Sequence, residues 1–392
     1  MSHPQLILKS GKDKPVRDHH HWIFSGAVAQ FPSDVSDGSL VEVVDSEHQF
    51  LGQAYLNRQT SIVARMIAWD DQPIDQVLSQ RIASAAQIRE AWFSQSATNT
   101  YRVIHGEGDA LPGLTVDRYG EVLVLQITTL GMDLLKPLVI DELVKQLKPS
   151  AIWEKSDTPS RTIEGLEPHI GWVYGNPVET LEVNENGLRF TIDFQHVQKT
   201  GLFLDQREMR KLVQENSQDK VVLNCFGYTG GFTIAALKGG ARRVDTIDIS
   251  ESAIAGATKN LILNGFDEQS NRAIAADVFS WLRENDLSQY DLIILDPPAF
   301  AKKRSDITNA MRAYRDINRL AIAGASSGAT IITSSCSALV DETLFQKLVF
   351  QAAQSTGRMV RIIHKHRLAP DHPINIYHPE SNYLKSLVLT VE

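Results

Sequence analysis

The sequence contains little cysteine, no excess of basic residues and no long hydrophobic run. Cys225 and Cys336 are the only cysteines in 392 residues, too few for a disulfide framework, which favours a reducing compartment. The formal net charge of −8 excludes a uniformly basic surface, so any nucleic-acid partner must bind local basic patches. No apolar run reaches membrane-spanning length and the first residues hold no signal-peptide core, so we predict a cytoplasmic protein with no membrane partner.

Three consecutive histidines, His19 to His21, form a run that suggests metal binding. Adjacent imidazoles on a loop can hold a metal ion adventitiously, but a defined site needs further ligands at a suitable spacing. Nothing nearby in the sequence completes such a set. We therefore predict that the protein has no metal site.

The chain is long enough for two or three domains, and its apolar pattern changes twice. Residues 1–72 consist of short strands and turns, which predicts a small β-barrel-like domain. Residues 73–180 mix helical periods with paired strands, typical of a small α+β domain, although Thr158–Gly175 resembles a loose linker. Residues 181–392 alternate apolar strands with helical segments, which predicts an α/β domain with a doubly wound, largely parallel sheet.

Basic and aromatic residues lie close together near the start of the chain. Trp22 and Phe24 follow four basic residues: Lys9, Lys12, Lys14 and Arg17. Such a group could hold RNA through phosphate contacts and base stacking. Alternatively, the two aromatic residues belong to the core and the basic residues to a solvated loop. The sequence leaves both interpretations open.

A glycine-rich turn between an apolar strand and a helical segment, at Val221–Phe232, is the most informative stretch. A second apolar strand ends on Asp248, about twenty residues further on, as in sites that bind a nucleotide-type cofactor. Glycine lets the backbone approach the ligand, and the acid can accept hydrogen bonds from ribose hydroxyls. Asp277, after the next strand, fits a contact with the adenine amino group.

S-adenosylmethionine suits this arrangement better than a nucleoside triphosphate, because no Walker lysine follows the turn. The alternative is an ordinary turn with aspartates that only cap helices. Ligands of doubly wound sheets lie beyond the carboxyl ends of the strands. We predict that this edge gathers five polar residues that follow apolar runs: Asn224, Asp248, Asp277, Asp296 and Cys336.

Asp296 opens the sequence Asp-Pro-Pro-Ala-Phe directly after an all-apolar strand, Leu292–Leu295. Prolines stiffen the turn and aim the carboxylate into the pocket. A stiff acidic turn followed by an aromatic residue can hold a flipped base, with Asp296 at its edge and Phe300 over its face. The alternative is a proline-rich turn with Phe300 in the core.

Cys336 lies in a Ser-Ser-Cys-Ser sequence after another buried strand. Carbon-5 of cytosine is a poor nucleophile, and a thiolate that adds to carbon-6 makes it enamine-like and able to take a methyl group from a sulfonium. This chemistry requires a nearby cation or helix N-terminus that favours the thiolate. The alternative is a buried cysteine that packs as a small hydrophobe, the role that suits Cys225.

Two basic runs follow in this otherwise acidic chain. Both suit a phosphate backbone beside a base pocket, although each could equally be a solvated helix face. The first contains Lys302, Lys303, Arg304, Arg312, Arg315 and Arg319, and the second contains Arg358, Arg361, Lys365 and Arg367.

Six motifs in this order resemble the RlmI-type family of S-adenosylmethionine-dependent ribosomal RNA large subunit (cytosine-C5) methyltransferases. They are HHHWIFSGAV, HGEGDALPGLTVDRYG, KTGLFLDQR, NCFGYTGGF, DPPAF and SSCS, and the resemblance covers essentially the whole chain. It implies an N-terminal PUA domain, a central α+β domain and a class I, Rossmann-like methyltransferase domain. It also implies methylation of carbon-5 of a cytidine in large-subunit ribosomal RNA, through a covalent cysteine adduct, and a homodimer.

The resemblance assigns roles to individual residues. Cys336 is the implied nucleophile and Asp296 the acid that holds the base. Gln206 and Arg207 are expected at the methionine end of the cofactor. The other cofactor contacts are expected at Asn224, Phe226, Gly227, Tyr228, Gly230, Asp248, Ile249, Asp277 and Val278. The substrate contacts are expected at Pro297, Pro298, Phe300, Lys302 and Lys303.

The chain departs from the family pattern at two places. His21 stands where the family usually has proline before the tryptophan, and Ala299 stands where members often have lysine after the two prolines. If that lysine tunes the thiol or holds RNA, Lys302 or Lys303 must replace it.

Two other functions are compatible with the sequence. The first is methylation of an exocyclic amine of guanine or adenine, for which Asp296 and Phe300 would suffice. The second is a non-catalytic RNA-binding or assembly factor that acts through the N-terminal domain.

Overall fold

The structure is a computed structural model that describes residues 4–93, 97–194, 201–301 and 303–392, apart from the side chain of Glu268. It divides into two compact units. The first comprises the described residues within Met1–Val183, Ile192–Leu204 and Pro370–Ser381. The second comprises those within Asn184–Thr191, Asp205–Ala369 and Asn382–Glu392. The predicted domain boundaries after residues 72 and 180 stay predictions.

The first unit begins with a six-stranded sheet in the order β2-β6-β5-β4-β1-β3. β1 runs parallel to β4, and the other neighbours are antiparallel. Alternating residues such as Leu6, Leu8, Val41 and Val43 fill its core, which confirms the predicted small β domain. Its elements are β1 (Gln5–Leu8), α1 (Lys14–Arg17), β2 (Trp22–Phe24), β3 (Val28–Gln30), β4 (Leu40–Val44), β5 (Phe50–Leu56) and β6 (Ile62–Ala68).

Trp22 and Phe24, the aromatic residues of β2, differ in exposure. Trp22 is half-buried, and its indole Nε1 donates a hydrogen bond to Glu107 Oε1 at 2.8 Å. Phe24 is 48% exposed and meets the Trp22 ring edge-on at 6.3 Å between ring centroids. Trp22 therefore has a structural partner, whereas Phe24 keeps a free face.

A five-stranded sheet in the order β11-β10-β9-β8-β7 follows in the same unit. Its hydrophobic core lies between the sheet and the long helices, with Ile82, Leu125 and Leu143 fully buried. This confirms the predicted α+β character. Its elements are α2 (Ile74–Trp92), β7 (Thr100–His105), β8 (Leu114–Tyr119), β9 (Val122–Ile127), α3 (Leu130–Leu134), α4 (Lys136–Leu147), β10 (Ala151–Ser156), α5 (Pro159–Ile163) and β11 (His169–Gly175).

The prediction of a loose linker at Thr158–Gly175 is wrong. α5 and β11 lie in this stretch, and β11 pairs with β10 from Ala151 opposite Gly175 to Ser156 opposite His169. β11 is an edge strand whose side chains are all exposed or half-buried, so its sequence lacks the apolar alternation that indicates a strand.

The second unit contains a seven-stranded sheet in the order β16-β15-β14-β17-β18-β20-β19. The first five strands are parallel, and β20 runs antiparallel to both of its neighbours. Helices connect successive parallel strands, which confirms the predicted α/β fold. A separate two-stranded sheet pairs β12 (Thr180–Glu185) with β13 (Leu188–Asp193).

The strands of the large sheet are short and mostly buried. They are β14 (Val221–Cys225), β15 (Arg243–Asp248), β16 (Asn271–Ala275), β17 (Leu292–Leu295), β18 (Thr330–Ser335), β19 (Val360–His366) and β20 (Lys385–Val391). The helices are α6 (Arg207–Glu215), α7 (Gly231–Lys238), α8 (Glu251–Leu263), α9 (Val278–Glu284), α10 (Ile307–Gly324) and α11 (Glu342–Thr356). Among the described residues, no helix combines the length and the apolar character that a membrane span needs.

A buried arginine holds several segments of the first unit together. Arg89 on α2 is completely buried and donates to both carboxylate oxygens of Asp109, at 2.6 and 2.7 Å. It also donates to the carbonyl oxygens of Arg102 and Asp371, at 2.9 and 2.8 Å. The guanidinium thereby satisfies groups on three segments, and its loss would leave the Asp109 carboxylate in the interior without this charge partner.

We predict that Arg89→Ala lowers the free energy of unfolding of the first unit by about 3–5 kcal/mol, because it leaves a buried charge unpaired. Urea unfolding followed by tryptophan fluorescence measures the loss. Lys145→Ala is the control, because Lys145 is 69% exposed and pairs with Glu142 at the surface. The control should cost less than about 1 kcal/mol. Equal losses in the two variants would contradict the assigned role of Arg89.

Candidate functional site

The register of the parallel sheet aligns the ends of four strands. Cys225 of β14 lies opposite both Ile247 of β15 and Leu295 of β17, and Leu295 lies opposite Thr333 of β18. The residues that come next along these strands therefore emerge at one edge of the sheet. That edge carries the predicted residues Asp248, Asp296 and Cys336.

The turn after β14 is unusual because two of its residues other than glycine have left-handed backbone conformations. Phe226 has φ 59° and Tyr228 has φ 46°, and Gly230 follows with φ 80°. Such conformations cost energy in residues that carry a Cβ and occur often in ligand-binding turns. Gly227 is required for space, because an added Cβ would lie 2.4 Å from Thr246 Cγ2. The sequence showed the glycines but not this strain.

Asp248 fixes the turn against the end of β15. Its Oδ2 accepts the backbone N–H of Tyr228, and its Oδ1 accepts that of Ser250, both at 2.9 Å. The side chain is half-buried, so each oxygen keeps lone pairs that a bound hydroxyl can use. The next residue, Ile249, is 74% exposed and offers an apolar surface beside the carboxylate.

Asp277 and Val278 have structural roles in the described contacts. The Asp277 side chain is exposed and caps α9 by accepting the Ser280 N–H at 2.9 Å. Val278 is buried in the core of the sheet. Asp277 therefore caps a helix, as the alternative interpretation states. Its contact with the cofactor stays a prediction.

At this edge, the side-chain amides of Asn224 and Gln206 are buried and have acceptor oxygens with no hydrogen-bond partner among the described residues. Asn224 donates through Nδ2 to Thr233 Oγ1 at 2.9 Å, and its Oδ1 has no partner. Gln206 donates through Nε2 to Asp296 Oδ1 at 2.7 Å, and its Oε1 has no partner. Buried acceptors are normally satisfied, so both oxygens suit a bound group that carries N–H or O–H donors.

Arg207 lies beside Gln206 but is completely buried. Its Nε is 3.6 Å from Glu185 Oε2, and Glu185 also receives two hydrogen bonds from Arg210 at 2.6 Å. This ion-pair group anchors the start of α6, and a direct contact of Arg207 with the cofactor stays a prediction.

Cys336 is half-buried, just beyond the end of β18. Its thiol lies 3.8 Å from the carbonyl oxygen of Pro297, so the structure brings the Ser-Ser-Cys-Ser sequence next to the Asp-Pro-Pro turn. Pro297 is buried and Pro298 exposed. Cys225, in contrast, is completely buried, and burial raises the pKa of its thiol, as expected for a cysteine that only packs.

Phe300 has contacts on several sides. Its ring lies 4.8 Å from the Tyr314 ring, 6.0 Å from the Phe279 ring and 6.4 Å from the Phe226 ring, measured between centroids. It is half-buried and packs against the core of the sheet. The structure therefore brings Phe300 to the cofactor turn, and its partly exposed ring leaves room for the predicted contact with a base.

Comparisons with known proteins agree with this geometry. A family model described as S-adenosylmethionine-dependent methyltransferase matches residues 101–346, and one described as a PUA-like domain matches residues 6–69. Ribosomal RNA large subunit methyltransferase I of Klebsiella pneumoniae (strain 342) is 38% identical over 99% of this chain and 98% of its own length. The protein of that name from Vibrio cholerae (strain O395) is 37% identical over 99% of both chains.

This chain belongs to the ribosomal RNA large subunit methyltransferase I family. The resemblance of the six motifs is thereby confirmed, as are the PUA-like domain and the dependence on S-adenosylmethionine. A crystal structure of SMU.776, a putative methyltransferase complexed with SAH, matches with a TM-score of 0.86. That match covers 99% of this chain and 100% of the other at 23% identity, and it confirms the fold alone.

The residues of this methyltransferase fit its cofactor. The unpartnered oxygens of Asn224 and Gln206 suit the amino group of the methionine end, and Asp248 suits the ribose hydroxyls. Ile249 suits one face of the adenine, and the absence of a Cβ at Gly227 allows the close approach of the backbone. When bound, S-adenosylmethionine supplies a methyl group on a positively charged sulfur.

Lys385 is a residue of the site that could not be found from the sequence. It is only 5% exposed, and its ammonium donates to the carbonyl oxygens of Ser337 and Tyr383, at 2.6 and 2.8 Å. Burial lowers the pKa of Lys385 to about 8, whereas the electrostatic influence of an ionised Cys336 and of Asp341 acts in the opposite direction. Lys385 thus bonds to the residue that follows Cys336, and we predict that it is the cation that the chemistry expected of Cys336 requires.

The position of Lys385 explains why no sequence pattern pointed to it. β20 is antiparallel to β18, so it begins at the edge where the parallel strands end, and Lys385 lies opposite Ser335. A search for polar residues that follow apolar strands does not find a residue that begins one. The sequence predicted a cation or a helix N-terminus near Cys336, but not which residue supplies the positive charge.

We predict that Asp248→Asn weakens S-adenosylmethionine binding about tenfold or more, because the amide removes charge and acceptor capacity facing the ribose. Isothermal titration calorimetry measures this change. Asp286→Asn is the control, because Asp286 is exposed and accepts the Ser288 N–H in a similar local turn. Unchanged affinity in Asp248→Asn would contradict the assignment.

We also predict that Lys385→Met slows alkylation of Cys336 by iodoacetamide at pH 7 about tenfold, because loss of the cation disfavours the thiolate. Peptide mass spectrometry measures the rate, with buried Cys225 as an internal unreactive thiol. Lys347→Met removes the same charge from an exposed position and should leave the rate unchanged. Identical rates in the two variants would exclude Lys385 as the partner of the thiolate.

Proposed function

We propose that the protein methylates carbon-5 of a cytidine in large-subunit ribosomal RNA, through a transient covalent bond between Cys336 and the base. The RNA substrate is supported by the names of the relatives, which are 37–38% identical over almost the whole chain. The choice of cytosine carbon-5 is supported by a single observation. Cys336 lies half-buried at the sheet edge that carries Asp248, and the buried ammonium of Lys385 donates to the carbonyl oxygen of the next residue, Ser337.

In the proposed reaction the Cys336 thiolate acts first as the nucleophile and finally as the leaving group. The Cys336 thiolate adds its electron pair to carbon-6 of the cytosine, which makes carbon-5 nucleophilic. Carbon-5 then takes the methyl group of S-adenosylmethionine. The electrons of the broken carbon–sulfur bond stay with the sulfur of the methyl donor. A base removes the proton from carbon-5, the double bond between carbons 5 and 6 forms again, and the thiolate leaves unchanged.

The pocket for the cytosine is proposed at the turn that carries Asp296. The Asp296 carboxylate accepts from Gln206, and this contact orients it without neutralising its charge. We assign Asp296 to the edge of the flipped base and the half-buried ring of Phe300 to its face. Pro297 and Pro298 stiffen the turn, and the Pro297 carbonyl lies beside the Cys336 thiol.

A basic cavity between α10 and α11 of the second unit supports RNA binding. A cavity of about 660 Å³ is lined by Arg312, Arg315 and Arg319, with Asp316 as its acidic member. Lys303 is exposed, and Lys302 lies outside the described residues. We propose that these basic side chains contact the phosphate backbone.

Most residues of the second basic run are paired with carboxylates, so less of their positive charge is available to RNA. Arg361 pairs with Glu392, and Lys365 and Arg367 both pair with Glu342. We therefore place the phosphate contacts on the first run. The homodimer and the cytoplasmic location stay predictions.

Cys336→Ala should abolish methyl transfer to large-subunit ribosomal RNA from cells that lack this gene, while S-adenosylmethionine binding stays within a factor of about two of wild type. Scintillation counting with a labelled methyl donor measures the transfer. RNA that contains 5-fluorocytidine should form a covalent complex with the wild-type protein, because fluorine at carbon-5 cannot leave as a proton does. The variant should form no such complex.

The alternatives predict different products. An exocyclic-amine methyltransferase would retain activity in Cys336→Ala, and nuclease digestion with mass spectrometry would reveal a methylated guanosine or adenosine. A non-catalytic RNA-binding factor would bind the RNA without methylating it, and its biological effect would survive Asp248→Asn. Each of these results would overturn the proposal.

A further inference from the structure

Three potential metal ligands from distant parts of the sequence converge in the first unit. His20 Nε2 lies 3.3 Å from both carboxylate oxygens of Glu380, and His378 Nδ1 lies 3.8 Å from Glu380 Oε2. The three ligand atoms all lie within 4.8 Å of one another. His20 and Glu380 are separated by 360 residues, so no local spacing in the sequence could reveal this group.

The three consecutive histidines do not act together. The His19 ring stacks on Trp69, with 4.9 Å between the ring centroids. His21 is completely buried, its Nδ1 is 2.9 Å from the Met66 carbonyl oxygen, and burial lowers its pKa to about 3. Only His20 turns its Nε2 toward Glu380. The run therefore contributes one ligand, and the other two come from the segment Pro370–Ser381.

His378 is the residue that points most clearly to a ligand. Its side chain is 1% exposed, yet its Nδ1 has no hydrogen-bond partner among the described residues. A buried polar atom without a partner is costly unless something else satisfies it.

The surroundings of His20 allow either tautomer of its ring, including the one that binds a metal. Its Nδ1 lies 3.3 Å from the Trp22 carbonyl oxygen, and a proton on Nδ1 that donates to this oxygen leaves the Nε2 lone pair directed at Glu380. Metal-binding histidines commonly have such a partner on the other ring nitrogen. The Trp22 N–H, 3.2 Å from the same Nδ1, stabilises the opposite tautomer when the site is empty.

We propose that His20, His378 and Glu380 form a binding site for a divalent transition-metal ion, with Zn²⁺ the best match. Two imidazoles and one carboxylate are a ligand set that zinc accepts, with a fourth position left for water. An ion about 2.0–2.2 Å from each ligand separates them by roughly 3.3–3.6 Å in a tetrahedral site. The two distances to Glu380 are close to this range, and all three ligand atoms lie within 4.8 Å of one another, so binding requires only a small approach.

A bound ion would have a structural role. It would tie the loop before β2 to the segment Pro370–Ser381, which is remote in sequence but belongs to the same unit. Binding to the folded state alone raises its stability with metal concentration. The sequence pattern predicts no metal site, because the ligands that the fold brings together are not neighbours in the sequence.

Metal titration of the full-length protein tests the proposal. Protein that is purified without a polyhistidine tag and stripped with EDTA is titrated with Co²⁺, and Zn²⁺ is then used to displace the Co²⁺. We expect one equivalent of Co²⁺ to give the visible absorption of a tetrahedral site, and one equivalent of Zn²⁺ to remove it. The melting temperature should rise with Zn²⁺ concentration.

Variants assign the site to these residues. Glu380→Gln keeps the size and hydrogen-bonding capacity of the side chain, and we expect it to weaken Zn²⁺ binding by about a hundredfold, as should His378→Ala. His48→Ala is the control, because His48 is exposed in the same unit and, in the described part of the chain, its ring has a hydrogen-bond partner only in Gln5. Circular dichroism establishes that each variant is folded.

Three outcomes would overturn the proposal. The first is binding of less than one equivalent of metal with no tetrahedral spectrum. The second is unchanged affinity in a folded Glu380→Gln variant. The third is an equal loss of affinity in His48→Ala, which would indicate adventitious binding by surface histidines. None of these measurements depends on methyltransferase activity, so they are independent of the proposed function.

Discussion

The parallel register of β14, β15, β17 and β18 determines where the reactive side chains of the second unit lie. β14, β15 and β17 end within one residue of the same row, so Asp248 and Asp296 emerge on either side of β14, and β18 runs two residues further to end directly before Cys336. No single residue in this arrangement would define a site alone. Their convergence follows from the main-chain hydrogen bonds of the sheet. These bonds hold the strand ends, and therefore the side chains that follow them, in a fixed geometry.

β20, the antiparallel neighbour of β18, contributes a buried positive charge to this edge of the sheet. β20 enters the sheet at the edge where the others leave it, and this places a buried ammonium opposite Ser335. Its hydrogen bonds go to neutral carbonyl oxygens, so the positive charge is oriented without being neutralised. A thiolate next to such a charge is stabilised more strongly in the interior than it would be in water. The reactivity proposed for Cys336 depends on this pairing.

The sequence predicted those parts of the fold that depend on local patterns. Alternating strands and helices indicated the parallel sheet, and the glycine turn with Asp248 indicated the cofactor site. It failed at β11, whose half-exposed side chains carry no apolar alternation, and at Lys385, which begins its strand instead of following one. It also could not show that Phe226 and Tyr228 take left-handed conformations, or that His378 and Glu380 meet His20. These features depend on contacts between residues that are distant in sequence.

Release of tritium from RNA that carries [5-³H]cytidine tests the central claim most directly. If carbon-5 is the methyl acceptor, its hydrogen must be lost in every turnover, so one tritium should reach the solvent for each methyl group transferred. Methyl transfer without tritium release would show that another atom accepts the methyl group, and it would contradict the role of Cys336 as the nucleophile.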